Sequence, residues 1–266
     1  MKIASVFSRL PKKTYIAVTA LALALLSGVA VTAWSPNRPT YTIENPADHV
    51  TFNSITNNPV YGDERAFFAA KDAANTTEGG FSHAVKVQDG MEVYLRAYVH
   101  NNASSSLNGS DYTGTGVAKN ARARFNIPTG SDKNMRVNAY ISADNAAPKE
   151  VQDNLDLIGD SAFTLEYVPG SAVSYTKIVP TGIKIDDSIV TTGALIGWNS
   201  ANGLIPGCLE YDSIVMVKVK VKMPQPNYSM KKMVAIPGQA WSESVAAKPG
   251  DTLSFLLEFK NTGNTA

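Results

Sequence analysis

Cysteine and histidine are nearly absent from this chain of 266 residues, which has one cysteine and three histidines. A single thiol forms no internal disulfide, so a hydrophobic core has to hold the fold together. The histidines, His49, His83 and His100, stand far apart, without a second ligand at the spacing that a zinc site uses. The sequence therefore predicts no metal site built on histidine, and each histidine is expected at the surface or in a turn.

Several sequence motifs of enzymes are also missing. The chain has no Gly-x-Ser-x-Gly nucleophile elbow, no phosphate-binding Walker loop and no dinucleotide fingerprint. Cys208 follows a Pro-Gly turn and has no histidine or basic residue close to it in sequence, which favours a small buried hydrophobic residue over a reactive thiol. These features predict a non-enzymatic protein without a cofactor.

The N-terminus has the pattern of an export signal. Its basic residues are Lys2, Arg9, Lys12 and Lys13. They precede an apolar run at residues 15–31, and small residues at the signal-peptidase positions end at Ala33. The run approaches the ~17–25 residues that span a bilayer. Residues 1–33 are therefore predicted to be a signal peptide or, uncleaved, a membrane anchor at 15–33, and the only membrane contact expected is through this segment.

The charge of the exported part excludes one class of partner. The formal net charge is +1, and the leader supplies four basic residues and no acidic one, so the remainder is weakly acidic. A nucleic-acid-binding protein needs a strongly basic face. No nucleic-acid partner is expected.

Apolar and polar residues alternate with a period of two along most of the chain, as expected for strands with one buried face. The stretch at 65–74 is ambiguous between helix and strand, and in the segment at 214–223 the alternating polar residues are lysines. Two of the predicted strands, separated by a Pro-Thr-Gly-Ser-Asp loop, form a predicted hairpin. The predicted strands are residues 91–100, 121–127, 135–142, 163–167, 175–179 and 214–223.

Short strands between turn residues predict an all-β fold, an antiparallel β-sandwich at residues 34–223. Two prolines, Pro224 and Pro226, would end the lysine strand and mark a domain boundary. Residues 224–266 then begin a second, incomplete immunoglobulin-like β-sandwich module. Its last strand needs partners, so we expect the chain to be a fragment of a longer protein.

Three segments resemble markers of an uncharacterised family of exported bacterial surface proteins, over roughly residues 41–223. They are residues 98–103 (Tyr-Val-His-Asn-Asn-Ala), 139–146 (Ala-Tyr-Ile-Ser-Ala-Asp-Asn-Ala) and 202–211 (Asn-Gly-Leu-Ile-Pro-Gly-Cys-Leu-Glu-Tyr). The tail, at residues 241–245, 248–251 and 261–266, resembles the N-terminal part of a DUF11 domain, an immunoglobulin-like repeat of bacterial cell-surface proteins. The resemblance implies a surface location and an array of β-sandwiches, and it implies no catalytic residue.

Paired acidic residues leave a structural calcium ion as an alternative to the preferred interpretation, which is solvated acids in turns. The pairs are Asp63 with Glu64, Asp153 with Asp156, and Asp186 with Asp187. An Asp-x-Asp-x-Asp-Gly calcium loop is missing. The least unlikely calcium ligands are Asp144, Asn145, Asp186 and Asp187. An isopeptide cross-link between a buried lysine and an asparagine is a further alternative, although Lys218, Lys220 and Lys222 are expected to point outward.

Aromatic residues on polar strand faces are the candidate ligand-binding residues. Tyr94 and Tyr98 share one predicted strand, Tyr140 lies on another, and Trp198 follows a glycine in a predicted loop. Exposed flat rings can stack on sugars, whereas covered rings serve packing. Packing is the preferred interpretation, and a sugar-binding surface is the alternative.

These observations predict an exported, non-enzymatic bacterial cell-surface protein that serves as a structural stalk, spacer or adhesive element. Its partners would be the cell wall, a host surface or neighbouring surface proteins. The alternative is a carbohydrate-binding module that recognises cell-wall or host glycan through Tyr94, Tyr98, Tyr140 or Trp198.

Overall fold

The structure, a computed structural model, describes residues 38–224 and 227–263. The predicted leader at 1–33 lies outside these residues. Over the described ranges, helix is limited to short 3₁₀ turns, and none of these is long or apolar enough to cross a membrane. The strands are β1 (Phe68–Asp72), β2 (Ala84–Val87), β3 (Glu92–Val99), β4 (Arg122–Asn126), β5 (Asp132–Ser142), β6 (Glu150–Tyr167), β7 (Val173–Thr176), β8 (Ile183–Lys184), β9 (Ala194–Leu195), β10 (Ser213–Lys222), β11 (Tyr228–Ala235) and β12 (Ser254–Asn261).

The first ten strands form one hydrogen-bonded network in the order β1-β3-β10-β6-β5-β4-β9, with β2 beside β6 and with β7 between β10 and β8. The pairs are antiparallel except for β2 with β6, which is parallel. The predicted all-β, antiparallel class is confirmed. The predicted hairpin is also confirmed, since β4 pairs with β5 from Arg122 opposite Ser142 to Asn126 opposite Asn138.

Strand β6 connects the two halves of the network. Its first part pairs with β5 continuously as far as Ile158 and, after a register shift, again at Phe163, whereas its last part, from Thr164, pairs with β10. The backbone between these parts is crowded, because a Cβ atom added to Gly159 would lie 2.7 Å from the carbonyl oxygen of Ser161. Because β6 changes partners along its length, both halves of the network share one strand. The sequence analysis recognised only the end of β6 and missed its first part.

A single core lies between the two halves. The rings of Phe68 on β1 and Phe125 on β4 meet at 5.1 Å, and both side chains are fully buried. The predicted alternation on β3 is confirmed, since Val93, Leu95 and Ala97 have no exposed surface. The ambiguous stretch at 65–74 forms β1.

The lysine strand β10 lies inside the network, with β3 on one side and β6 and β7 on the other. Its lysines project from the outer face, where the Lys218 ammonium lies 2.8 Å from Glu92 and Lys222 pairs with Glu166. Every lysine in the described ranges is exposed or half-buried. The buried lysine that an isopeptide cross-link requires is therefore not found in the part of the chain that the structure describes.

Strands β11 and β12 pair with each other in a separate two-stranded sheet. One face of this sheet has apolar side chains that stay in solvent: Phe255 is 59% exposed, Leu257 54% and Phe259 67%. Apolar residues therefore alternate along β12, but the described residues do not cover the apolar face of this sheet.

Asp153 departs from the predicted solvated acids because it lies on the buried face of β6. Its carboxylate accepts hydrogen bonds from the backbone amides of Phe68 and Asn154, each at 2.8 Å. Loss of hydration on burial raises the pKa of Asp153 from 3.8 to about 6, against the lowering effect of these two hydrogen bonds. An acid on the apolar face interrupts the alternation, which is why this half of β6 was missed.

We expect Asp153 to make the protein less stable as the pH rises from about 4 to about 7. The folded pKa lies above the unfolded value, so the stabilising contribution is complete below the unfolded pKa and is lost as the pH rises through the folded pKa. Two pH units correspond to about 3 kcal/mol. Urea unfolding of the wild type and of Asp153→Asn at several pH values measures this, and equal slopes for both proteins between pH 4 and 7 would contradict it.

We expect Phe125→Ala to lower the free energy of unfolding by about 3–5 kcal/mol, because removing the ring leaves a cavity between the two halves of the core. Val60→Ala is the control. Val60 is 96% exposed, and its truncation is expected to change stability by less than about 0.5 kcal/mol. A loss below about 1 kcal/mol for Phe125→Ala would show that the core does not depend on this contact.

Candidate functional site

A cavity of about 890 Å³, here called the Arg96 cavity, opens where β3, β7 and β10 meet the loop at residues 58–66. Its volume is within the range of small-ligand sites, about 300–1,000 Å³. Tyrosines and charged groups line it together. The chemistry-bearing residues in its walls are Asn58, Tyr61, Asp63, His83, Arg96, Tyr98, Tyr175, Lys177 and Asp212.

The aromatic wall is a stacked pair. The rings of Tyr61 and Tyr98 lie 4.2 Å apart at an interplanar angle of 14°. The Tyr98 hydroxyl donates to a carboxylate oxygen of Asp212 at 3.1 Å and accepts from the amide nitrogen of Asn58 at 3.2 Å. Burial raises the pKa of both tyrosines, so both hydroxyls stay protonated. The two hydrogen bonds of its hydroxyl hold Tyr98 in position.

Arg96 contributes an unpaired positive charge. Its guanidinium carbon lies 4.3 Å from the Phe81 ring centroid and 5.7 Å from that of Tyr61, both in reach of a cation–π interaction. One terminal nitrogen is 3.5 Å from the Tyr61 hydroxyl, and the buried Nε has no hydrogen-bond partner. No carboxylate among the described residues forms an ion pair with Arg96.

The acidic residues of the cavity are already paired. Asp63 binds Arg65, with a shortest distance of 2.6 Å, and Asp212 lies 3.1 Å from the Lys177 ammonium. The hydrogen bonds from Arg65 help to lower the pKa of Asp63 despite its partial burial. The guanidinium of Arg96 is therefore the charge in this wall that a ligand can neutralise.

A buried polar network supports the cavity from behind. The carboxylate of Glu64 is fully buried and lies 2.6 Å from the amide nitrogen of Asn58, 2.8 Å from that of Asn102 and 2.7 Å from His100 Nδ1. The predictions for Glu64 and His100 are therefore wrong: neither side chain is in solvent. His100 and Asn102 follow Glu64 by 36 and 38 residues, and Asn58 precedes it by six. No short sequence motif contains such a set of partners.

The structure brings only one of the four predicted aromatic candidates to this cavity. Tyr98 lines it, whereas Tyr94 lines a different cavity and lies 5.8 Å from the Lys218 ammonium. Tyr140 stacks against Arg124 at 3.9 Å, and Trp198 packs against Tyr112 and Tyr211. Across the described ranges, no ring contact joins any two of the four.

The sequence analysis missed Tyr61 and Arg96. Arg96 lies on the same polar face of β3 as Tyr98, two positions earlier, so the alternation had already placed the two side chains together. Tyr61 is in a loop, and its stacking on Tyr98 had no signal in the sequence.

The four candidate calcium ligands have other partners. Asp144 accepts from the Asn120 amide at 2.6 Å, and Asn145 accepts from the backbone amide of Lys119. Asp186 caps a short 3₁₀ helix through Ser188, while Asp187 accepts from the Tyr167 hydroxyl at 2.6 Å. In the part of the chain covered by the structure, no three His, Cys, Asp or Glu side chains are grouped as a metal site.

We expect Tyr98→Phe to lower the free energy of unfolding by about 1–2 kcal/mol, because Asn58 and Asp212 each lose a buried partner. Tyr94→Phe is the matched control on the same strand, since the Tyr94 hydroxyl makes no hydrogen bond with the described residues. Chemical denaturation compares the two. Equal losses would show that the Tyr98 hydroxyl has no structural role.

Comparison of this chain with protein-family models, with curated proteins and with solved structures finds no match.

Proposed function

We propose that this chain is an exported, non-enzymatic bacterial surface protein that acts as an adhesive element, and that its ligand is an acidic carbohydrate. The export pattern at residues 1–33 and the family resemblance support the location. The observation that carries the binding function is the unpaired Arg96 guanidinium in the wall of a tyrosine-lined cavity.

The chemistry of the wall supports an acidic sugar. Tyrosine rings offer flat apolar faces to the C–H groups of a sugar ring, and Tyr175 is 40% exposed at the cavity wall. Arginine binds carboxylates through parallel N–H donors in a planar fork. A uronic or sialic acid unit, in a cell-wall or host glycan, presents both kinds of surface.

A structural stalk or spacer is the second candidate, favoured by the exposed apolar face of the β11–β12 sheet. Neighbouring modules of an array would cover Phe255, Leu257 and Phe259. This proposal includes the finer fold: a β-sandwich at 34–223 followed by an immunoglobulin-like module at 224–266. Its partners would be neighbouring surface proteins or the cell wall.

We expect the purified chain to bind acidic glycans on an array that also displays their neutral counterparts. Arg96→Gln is expected to weaken binding at least tenfold, since a hydrogen bond to a charged group contributes about 1.5–3 kcal/mol. Arg136→Gln is the matched control, because that guanidinium already binds Asp156, at 2.9 Å, away from the cavity.

Two outcomes would overturn the adhesive proposal. One is equal loss of binding in both arginine variants, which would show that net charge alone attracts the glycan. The other is a silent array, which would leave the stalk as the better explanation.

A further inference from the structure

A second, smaller cavity of about 150 Å³ has both Cys208 and His100 in its walls. Most of its other walls are apolar or carry small hydroxyls, and Pro46 and Ser105 on its rim are exposed. Apart from the imidazole of His100, no side chain that lines it is a titratable acid or base other than the thiol itself. The space therefore suits a small, uncharged group.

His100 directs an unoccupied nitrogen away from its carboxylate partner. The side chain is 1% exposed, and its Nδ1 lies 2.7 Å from an oxygen of Glu64. The Asn102 amide nitrogen also lies 2.9 Å from Nδ1, but it already donates to the other Glu64 oxygen, so the shorter contact between Nδ1 and the Glu64 carboxylate assigns the ring proton to Nδ1. Nε2 is then a free lone pair, and it is buried without any hydrogen-bond partner. A buried polar atom without a partner in a native fold requires an explanation.

Glu64 is fixed in the position that this tautomer requires. Asn58 donates to the same carboxylate oxygen as His100 at 2.6 Å, and Asn102 donates to the other oxygen at 2.8 Å. Asn102 is itself held, because its carbonyl oxygen accepts from the Ser54 backbone amide at 2.5 Å. A carboxylate that orients an imidazole through Nδ1 leaves Nε2 to act as a base.

The backbone holds the Cys208 thiol at the cavity wall. Cys208 has φ +108° and ψ 151°, a conformation that non-glycine residues rarely adopt. Its amide donates to Asn101 at 3.2 Å, and its carbonyl accepts from Tyr211 at 3.1 Å. Cys208 is half-buried, so the prediction of a small buried hydrophobic residue is wrong.

We propose that Cys208, His100 and Glu64 form a nucleophilic thiol site that takes a small, uncharged acyl group from an ester. This site is separate from the Arg96 cavity and goes beyond the proposed adhesive function. Cys208 is the nucleophile, His100 is the base, and Glu64 is a positioning residue. In the free protein the thiol makes no hydrogen bond with Nε2, although both side chains line the cavity. Catalytic hydrogen bonds often tighten only when substrate is bound.

The reaction balances without a cofactor. His100 Nε2 takes the thiol proton, and the sulfur of Cys208 attacks the carbonyl carbon of the ester. The carbon–oxygen bond to the leaving alcohol breaks, and the alcohol oxygen takes the proton from Nε2. The products are a thioester on Cys208 and a free alcohol, a single covalent attachment without turnover that is compatible with the non-enzymatic function proposed above.

The test treats the full chain with p-nitrophenyl acetate and follows both nitrophenolate release and acetylation of Cys208 by peptide mass mapping. Because the chain has one cysteine, the same chain unfolded in urea is a control for the intrinsic reactivity of the thiol. We expect the folded chain to be acetylated at least about tenfold faster, as general base catalysis contributes about 10²–10⁴-fold. Slower acetylation of the folded chain would overturn the proposal, since it would show an inert, shielded thiol.

Variants then assign the roles. His100→Gln retains an amide that can donate to Glu64, and we expect it to reduce the acetylation rate at least tenfold while circular dichroism shows a folded chain. His49→Gln is the control, because His49 lies outside this cavity, beside Asp48. An unchanged rate in a folded His100→Gln chain would refute the role of the imidazole. Should that variant not fold, the comparison of folded and unfolded wild type still decides the proposal.

Discussion

The double pairing of strand β6 is the constraint on which the larger body of this protein depends. One end of β6 pairs with β5 and the other with β10, so both halves of the network are fixed by one continuous strand. Asp153 adds a second connection, because its carboxylate accepts the backbone amide of Phe68 on β1. With one cysteine in the chain, these non-covalent links and the core contact of Phe68 with Phe125 carry the stability that disulfides supply in disulfide-rich proteins.

Glu64 lies between the Arg96 cavity and the smaller cavity that has Cys208 and His100 in its walls. Its carboxylate accepts from Asn58, which lines the Arg96 cavity, and from His100, which lines the smaller one. A fully buried carboxylate is costly unless several donors compensate the lost hydration. Glu64 has donors from three side chains, so one buried acid orients groups in both cavity walls.

Much of the fold was predictable, because alternation depends only on neighbouring residues. Strands β3, β4, β5 and β10 all follow it. The predictions failed where a polar side chain is buried against a distant partner. The acidic side chain of Asp153 interrupts the alternation in the first half of β6. Its hydrogen-bond partner Phe68 lies 85 positions earlier, so no local pattern indicates that this acid is buried. Of the candidate site, Tyr98 was found from the pattern, but its burial was not, because the loop that carries Tyr61 covers that end of β3.

Two of the buried polar atoms without partners, Nε of Arg96 and Nε2 of His100, belong to side chains that line the two cavities. Leaving such a group unsatisfied costs about 1–3 kcal/mol, which is a large fraction of the marginal stability of a typical domain. A fold that needed these residues only for packing would gain by replacing them with apolar side chains of similar size. Arg96 instead keeps its charge between two aromatic rings, and His100 keeps a carboxylate on its other nitrogen. The cost is understandable if a bound group completes each of these hydrogen-bond sets, an anion for the guanidinium and a thiol proton for the imidazole.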